Sequence, residues 1–451
     1  MSLAPAEATT SGTTTRGTVC VYGLWHLGSV TAACLAAAGT KVVGLEPDAR
    51  CVAELAAGRP PIAEPGLDAL VQRGLADGTL SFTTSAADAL AEADILWVTF
   101  DTPVDDDDQA DVAWVRAQLD AVRPHLRPGT LVLVSSQVPV GFTPQLERDW
   151  RQTDPSLQFA CSPENLRLGK AIEVFRQPER VVLGTGEGVD RARLARLFAP
   201  FSENIEWMSL QSAEMTKHAL NSFLALSVAY TNELARICER VGADASEVER
   251  GLRSEPRIGR RAYVAAGPPI AGGTLLRDIT FLSQLAAERS LASPVIDAVR
   301  VSNQLHQSWA AERAAELLQG TERPRAAVLG LTYKPGTDTL RRSSAVELAQ
   351  TLAARGVQVT AYDPAIQTLP QELAQRITLA STLDAALAGA DLAILATAWP
   401  DFKTITVEHL VRTMRTPRVI DQAGFLHHLG GDSRLVYVRV GQPLHLAGEQ
   451  H

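Results

Sequence analysis

The 451-residue chain is short of aromatic residues, at 5%, and it holds only five cysteines and four methionines. Each scarcity excludes something. The cysteines (Cys20, Cys34, Cys51, Cys161, Cys238) show no paired spacing. That argues against a disulfide framework or a metal site and predicts a reducing, cytoplasmic setting. No apolar run nears the ~20 residues that a bilayer span needs, so no membrane role is expected. Basic residues are in deficit, with a net charge of -9, which speaks against electrostatic binding of nucleic acid. Residues 1–16 lack an apolar core and read as a disordered tail rather than a signal peptide. The acidic run Asp105–Asp108 reads as a solvated loop.

What is present is 46% hydrophobic content, enough for large cores, and a length that predicts two or three domains. From Gly17, short β-branched runs (TVCVY, KVVGL, ADILWV, TLVLV) alternate with Ala/Leu-rich helical patterns, which predicts a parallel sheet covered on both faces. Residues 212–241 carry helical periodicity without Pro or Gly, a long helix. After Pro324 the strand–helix alternation restarts with RAAVLGL, QVTAYDP, DLAILAT and RVIDQAG. The expected fold is α/β: two doubly wound, Rossmann-like parallel-sheet domains joined by a long central helix and a helical middle region. The expected boundaries are 17–209, 210–318 and 319–451.

The first strand runs into Gly23-Leu24-Trp25-His26-Leu27-Gly28, and a helix is expected from Ser29. This is the place of a dinucleotide fingerprint, with Trp25 where the middle glycine belongs. Glu46 closes the next strand, where an acid would hold a ribose diol and repel a 2′-phosphate, favouring NAD over NADP. Only five lysines (Lys41, Lys170, Lys217, Lys334, Lys403) stand among many arginines. A lysine kept inside the long helix suggests specific use of its amine. Lys217 and Asn221 are four apart, share a helix face, and could both meet one oxygen on which negative charge develops. Glu164 follows a strand and a proline and is a candidate general base.

Further segments complete a pattern: Gly58 with Glu64-Pro65-Gly66-Leu67, Thr102-Pro103, Ser135 through Gly141, and Ser162-Pro163-Glu164-Asn165-Leu166-Arg167-Leu168-Gly169. Then come Glu214-Met215-Thr216-Lys217, Asn221, Asn232-Glu233 and Arg257-Ile258-Gly259. The last are Gly330 through Lys334, Arg341 with Ser343, and Tyr362-Asp363-Pro364. In this order they resemble the UDP-glucose/GDP-mannose dehydrogenase family from Gly17 to about Phe425. Leu168 departs from the family pattern, which has an acid there. The resemblance implies an NAD-dependent oxidoreductase of polysaccharide biosynthesis acting on a nucleotide sugar, most simply a UDP-hexose. It places Gly23, Trp25, His26, Leu27, Gly28, Glu46, Thr102 and Ser136 at the cofactor. Glu164, Leu166, Arg167, Lys217, Asn221, Arg257, Gly272, Gly273, Lys334 and Arg341 fall at the substrate. Thr102 and Glu164 would hold the active water, and Lys217 and Asn221 would cradle the oxyanion. Lys334 and Arg341 would anchor the diphosphate. A homodimer through the central helix is also implied, with Arg257 reaching the neighbouring subunit's substrate.

The family's catalytic stretch, GPGFGGSCFPKD, is broken. Without gaps, Gly267-Pro268-Pro269-Ile270-Ala271-Gly272-Gly273-Thr274-Leu275-Leu276-Arg277-Asp278 aligns with it. Asp278 is kept, and Thr274 stands at the cysteine that captures the aldehyde. A thiol with pKa ~8.5 is a few per cent thiolate at neutral pH, whereas an alcohol is not ionised, and Thr274 is also β-branched and hindered. Cys161, three residues before Glu164, is the alternative thiol, although a cysteine at a strand end is usually core. Three outcomes follow from the sequence. The chain performs non-covalent redox chemistry that stops at, or reuses, a carbonyl. Or it forms the uronate through a gem-diol. Or it is a non-catalytic binding paralogue.

Overall fold

In a computed structural model the described residues are 17–103, 110–164, 166–271 and 274–443. The tail, the Asp105–Asp108 run, Asn165, Gly272 and Gly273 lie outside them. The chain divides into two compact units, 1–219 and 220–451.

The first unit carries an eight-stranded sheet. Its strands are β1 (Thr18–Tyr22), β2 (Val42–Leu45), β3 (Leu80–Thr83), β4 (Ala93–Val98), β5 (Leu131–Val134), β6 (Gln158–Cys161), β7 (Val181–Thr185) and β8 (Ile205–Ser209). The spatial order is β3-β2-β1-β4-β5-β6-β7-β8. Strands such as β5 (LVLV) are buried along their whole length, as expected where helices cover both faces. Two cores result, one on each face of the sheet. Val19, Val21 and Trp97 belong to the first, and Cys20, Leu96 and Val98 to the second. The alternation along each strand sends neighbours to opposite sides. One pair departs from the parallel expectation, because β6 and β7 are antiparallel.

The second unit holds β9 (Arg325–Leu329), β10 (Gln358–Tyr362), β11 (Thr378–Leu379), β12 (Leu392–Leu395), β13 (Arg418–Asp421) and β14 (Val436–Val438). All its pairings are parallel, in the order β11-β10-β9-β12-β13-β14. The long helix is continuous from Leu210 to Val241, and the boundary between the units falls within it. Both sheets reverse strand order next to their first strand, at β1/β4 and β9/β12. Such switch points open crevices at the carboxyl ends of the strands.

Candidate functional site

The turn after β1 is set by glycine chemistry at two positions. Gly23 has φ 92°, a left-handed value that favours glycine. A Cβ on Gly28 would lie 1.8 Å from the Gly23 carbonyl oxygen, so the helix packs on the strand only because Gly28 has no side chain. Hydroxyls fix the same turn: Thr99 Oγ1 donates to Gly23 O at 2.8 Å and Ser29 Oγ donates to Leu24 O at 2.6 Å. The helix starts at His26 with Trp25 at its cap, three residues earlier than the sequence suggested. No side-chain cap marks that start.

This turn borders a cleft of about 880 Å³ whose walls include Trp25, Glu46, Cys51, Phe100 and Trp114. Glu46 follows β2. Its carboxylate accepts from Leu24 N at 2.8 Å and Asp48 N at 3.3 Å, which fixes an acid on the cleft wall. Ser136, after β5, has a buried hydroxyl with no hydrogen-bond partner among the described residues. The turn and the cleft fit NAD: two glycines at a helix N-terminus, an acid just after the second strand on the cleft wall and, outside the cleft lining, an orphaned hydroxyl after β5.

The remaining groups of the first unit converge on two loops. Thr102 Oγ1 donates to Gln137 O at 2.6 Å. Glu214 accepts from Gly141 N and Thr143 N at 2.6 and 2.8 Å, and His218 meets Val138 O at 3.1 Å. The long helix thus grips segment 137–143. Burial pushes the Glu214 carboxyl upward, opposed by the two amide hydrogen bonds. Lys217 Nζ donates to the backbone oxygen of Glu164 at 2.6 Å, fixing the start of the loop that carries Leu166 and Arg167. Buried Glu64 holds the far end, accepting from Gly169 N and Ala171 N at 2.8 Å each, with His26 Nε2 3.2 Å away. Arg167 itself is exposed.

In the second unit the start of the motif stretch, 267–270, is a clamped loop. Asn303 Oδ1 accepts from Ile270 N at 2.7 Å, and Asn303 Nδ2 donates to Ile270 O at 3.1 Å. Asn232 Oδ1 accepts from Gly267 N at 2.9 Å, and His306 Nε2 meets Gly267 O at 2.8 Å. Burial lowers the His306 pKa. Thr274 is the exposed first residue of a helix running to Glu288. One turn on, fully buried Asp278 receives Asn221 Nδ2 at 2.5 Å. Of the two polar residues expected to share an oxygen, Lys217 donates to Glu164 O and Asn221 donates to Asp278. Arg257 is 87% exposed at its side chain and pairs with Glu255 at 2.8 Å.

At the β9/β12 switch point, Gly330 (φ 87°) makes the turn. Buried Asp363 accepts from Leu331 N, Thr332 N and Trp399 Nε1 at 2.7, 3.0 and 3.1 Å. Lys334 Nζ sits 5.2 Å from the centre of the Tyr333 ring, and Arg341 is exposed.

Cys161 is buried against Leu210 O at 3.5 Å, and burial drives its thiol pKa far upward. Cys51, in the cofactor cleft, is pushed up to about 11 by burial, with Glu46 and Asp48 adding. All five cysteines are free.

Two doubly wound domains, the first with a glycine turn and an acid just after its second strand, fit the class of NAD-dependent dehydrogenases. Comparison with known proteins gives the family. Residues 17–202 match the UDP-glucose/GDP-mannose dehydrogenase family, NAD binding domain. Residues 211–305 match its central domain and residues 327–428 its UDP binding domain. The chain belongs to this family. A UDP-glucose 6-dehydrogenase of Pseudomonas aeruginosa is 35% identical over 419 residues, covering 89% of this chain and 92% of that one. Another, from Rhizobium meliloti, is 32% identical over 412 residues, covering 89% and 94%. The structure of a UDP-glucose dehydrogenase from the archaeon Pyrobaculum islandicum superposes with TM-score 0.83 at 30% identity, covering 96% of this chain and all of that one.

Sequence reasoning quoted Glu64 and Asn232 but gave them no task, and it missed Asn303 and His306. The available signal was a set of polar residues, Ser302, Asn303 and His306, on the buried side of the helix Pro294–Gln307.

Proposed function

We propose that the protein uses NAD to oxidise a UDP-hexose without covalent capture at the sugar. The chemistry is a two-electron oxidation, or an oxidation followed by return of the hydride. The observation that carries this reading is Thr274 at the head of its helix, with every cysteine of the chain elsewhere. Support for the substrate comes from the UDP binding domain match at 327–428 and from the relatives' names.

Bound NAD supplies the two-electron acceptor for a CH–OH group. Gly23, Gly28 and Glu46 seat it, with His26, Leu27, Thr102 and Ser136 around the turn and beyond β4 and β5. Glu164 takes the hydroxyl proton as the carbonyl forms. Lys217 supplies positive charge where the oxygen becomes more negative, held in place by the Glu164 carbonyl. Asn221, oriented by Asp278, presents an amide donor to a sugar oxygen. Leu166, Arg167, Gly272 and Gly273 shape the sugar end. Lys334 and Arg341 contact the diphosphate, where charge-assisted hydrogen bonds are strong.

We further propose a homodimer through the long helix, with Arg257 serving the neighbouring copy. In the second unit Phe223, Tyr230 and Ile237 are 65%, 53% and 59% exposed at seven-residue spacing. A stripe of that kind suits a second helix. The free cysteines support a cytoplasmic setting.

The test is to count NADH per sugar consumed while identifying the product by mass spectrometry. At most one NADH per sugar, and none where the hydride returns, is expected with UDP-glucose. Uronate with two NADH per sugar refutes the two-electron reading and favours the gem-diol route. Binding without any turnover favours the non-catalytic alternative.

A further inference from the structure

We propose that Trp25 is a retention residue of the cofactor cleft, its indole packing on bound NAD and slowing cofactor release. The backbone at Trp25 has φ -74° and ψ -145°, outside the left-handed region that favours glycine at Gly23. The turn itself therefore does not ask for glycine at this position, unlike Gly23 and Gly28. The usual reason for a glycine there is close approach of the pyrophosphate to the backbone. Replacing it with the largest side chain alters what the ligand meets while leaving the fold intact.

The side chain is placed to be met. Trp25 is 53% exposed, next to the residue that starts the helix, and it lines the cleft together with Glu46. Phe100 and Trp114 line the same cleft and pack edge-to-face on one another at 5.1 Å. A cleft of about 880 Å³ lies within the range of pockets that enclose a ligand of drug size or more. A water-exposed indole in such a cleft gains contact area when a flat, partly apolar ligand covers it. Trp25 thus exchanges the close backbone seat of the pyrophosphate for a side-chain wall, and the gain falls on residence time.

The proposal rests on NAD occupying this cleft and is independent of what happens at the sugar. The experiment therefore uses the full-length protein with NADH alone, so its failure is distinguishable from failure of the stoichiometric reading. Preformed protein–NADH complex is mixed with excess NAD, and loss of bound-NADH fluorescence gives the dissociation rate. Trp25→Gly is expected to release NADH at least about tenfold faster than the unmodified protein, and Trp25→Phe at an intermediate rate. Trp25→Ala carries the same expectation if the glycine variant does not fold. Unchanged or slower release from the truncated variant overturns the proposal, as does tighter equilibrium binding, which would make the indole an obstruction.

Discussion

Asn303→Ala tests how the motif loop is held. The Asn303 amide makes two short bonds to one residue, Ile270 N at 2.7 Å and Ile270 O at 3.1 Å. Both residues are buried, and Ile270 belongs to a small core with Ala225, Ala229, Ile279 and Val299. Alanine removes a donor and an acceptor together, stranding a backbone N–H and C=O out of water. Each stranded group costs about 1–3 kcal/mol. Partial relaxation of the loop, with Asn232 and His306 still holding Gly267, brings the expected loss to about 2–4 kcal/mol. Urea unfolding at constant m-value measures it. Because the loop leads to Thr274 while the cofactor cleft lies in the other unit, NAD affinity should stay within about twofold as sugar-dependent turnover falls at least about tenfold. A stability change below about 0.5 kcal/mol, or equal loss of NAD binding and turnover, refutes the clamp.

Glu64→Gln should destabilise the loop end at Gly169–Ala171 by about 1.5–3 kcal/mol, since one charge-assisted bond is lost and an amide donor faces another donor. Faster hydrogen exchange at those two amides is the check. His306 gives a pH signature. Its pKa is lowered by burial, so the folded state binds its proton less readily than the unfolded chain, whose histidine titrates near ~6.5. Its contribution is fully present above that value and is lost as pH falls below it, at no more than about 1.4 kcal/mol per pH unit. His306→Gln should flatten that part of the stability profile. Tyr230→Glu, on the exposed stripe, should convert the expected dimer to monomer in light scattering.

The fold was legible because its strands are apolar on both faces. Runs such as TLVLV and DLAILAT have few alternatives in a chain that also alternates with helices. What the pattern could not carry was direction. VVLGT reads the same whichever way it enters the sheet, and β7 pairs antiparallel to β6. The first helix began earlier than expected because its cap is Trp25, which offers no side-chain hydrogen bond, and because Gly28 sits in its first turn as a packing requirement. Individual residues were singled out where chemistry restricts the residue type: Glu46 just after the second strand, Lys217 in an arginine-rich chain, Asp278 at the end of the motif stretch. Asn303 and His306 were not. Polar residues three apart on a helix look like a solvated face until a loop is seen to close over them, and the distances that reveal the clamp span 33 and 39 residues.

Two of the chain's departures from the family pattern, Trp25 and Thr274, bear on the same chemical problem. A thiol at the head of the helix would divide acid formation into capture and hydrolysis. On the proposed reading, the exposed and β-branched Thr274 offers no thiol, so a carbonyl formed on the sugar is not captured covalently from this position. Its remaining courses are release, hydration, or return of a hydride. Return requires that reduced cofactor outlast the carbonyl in its cleft, and the rate of cofactor release then decides between the courses. An indole at the turn that seats the pyrophosphate acts on that rate. On these two proposals, the motif substitution sets which products are chemically open, and the cofactor-turn substitution biases the choice among them. NADH counted per sugar and NADH released per second are, on the same two proposals, expected to be linked quantities.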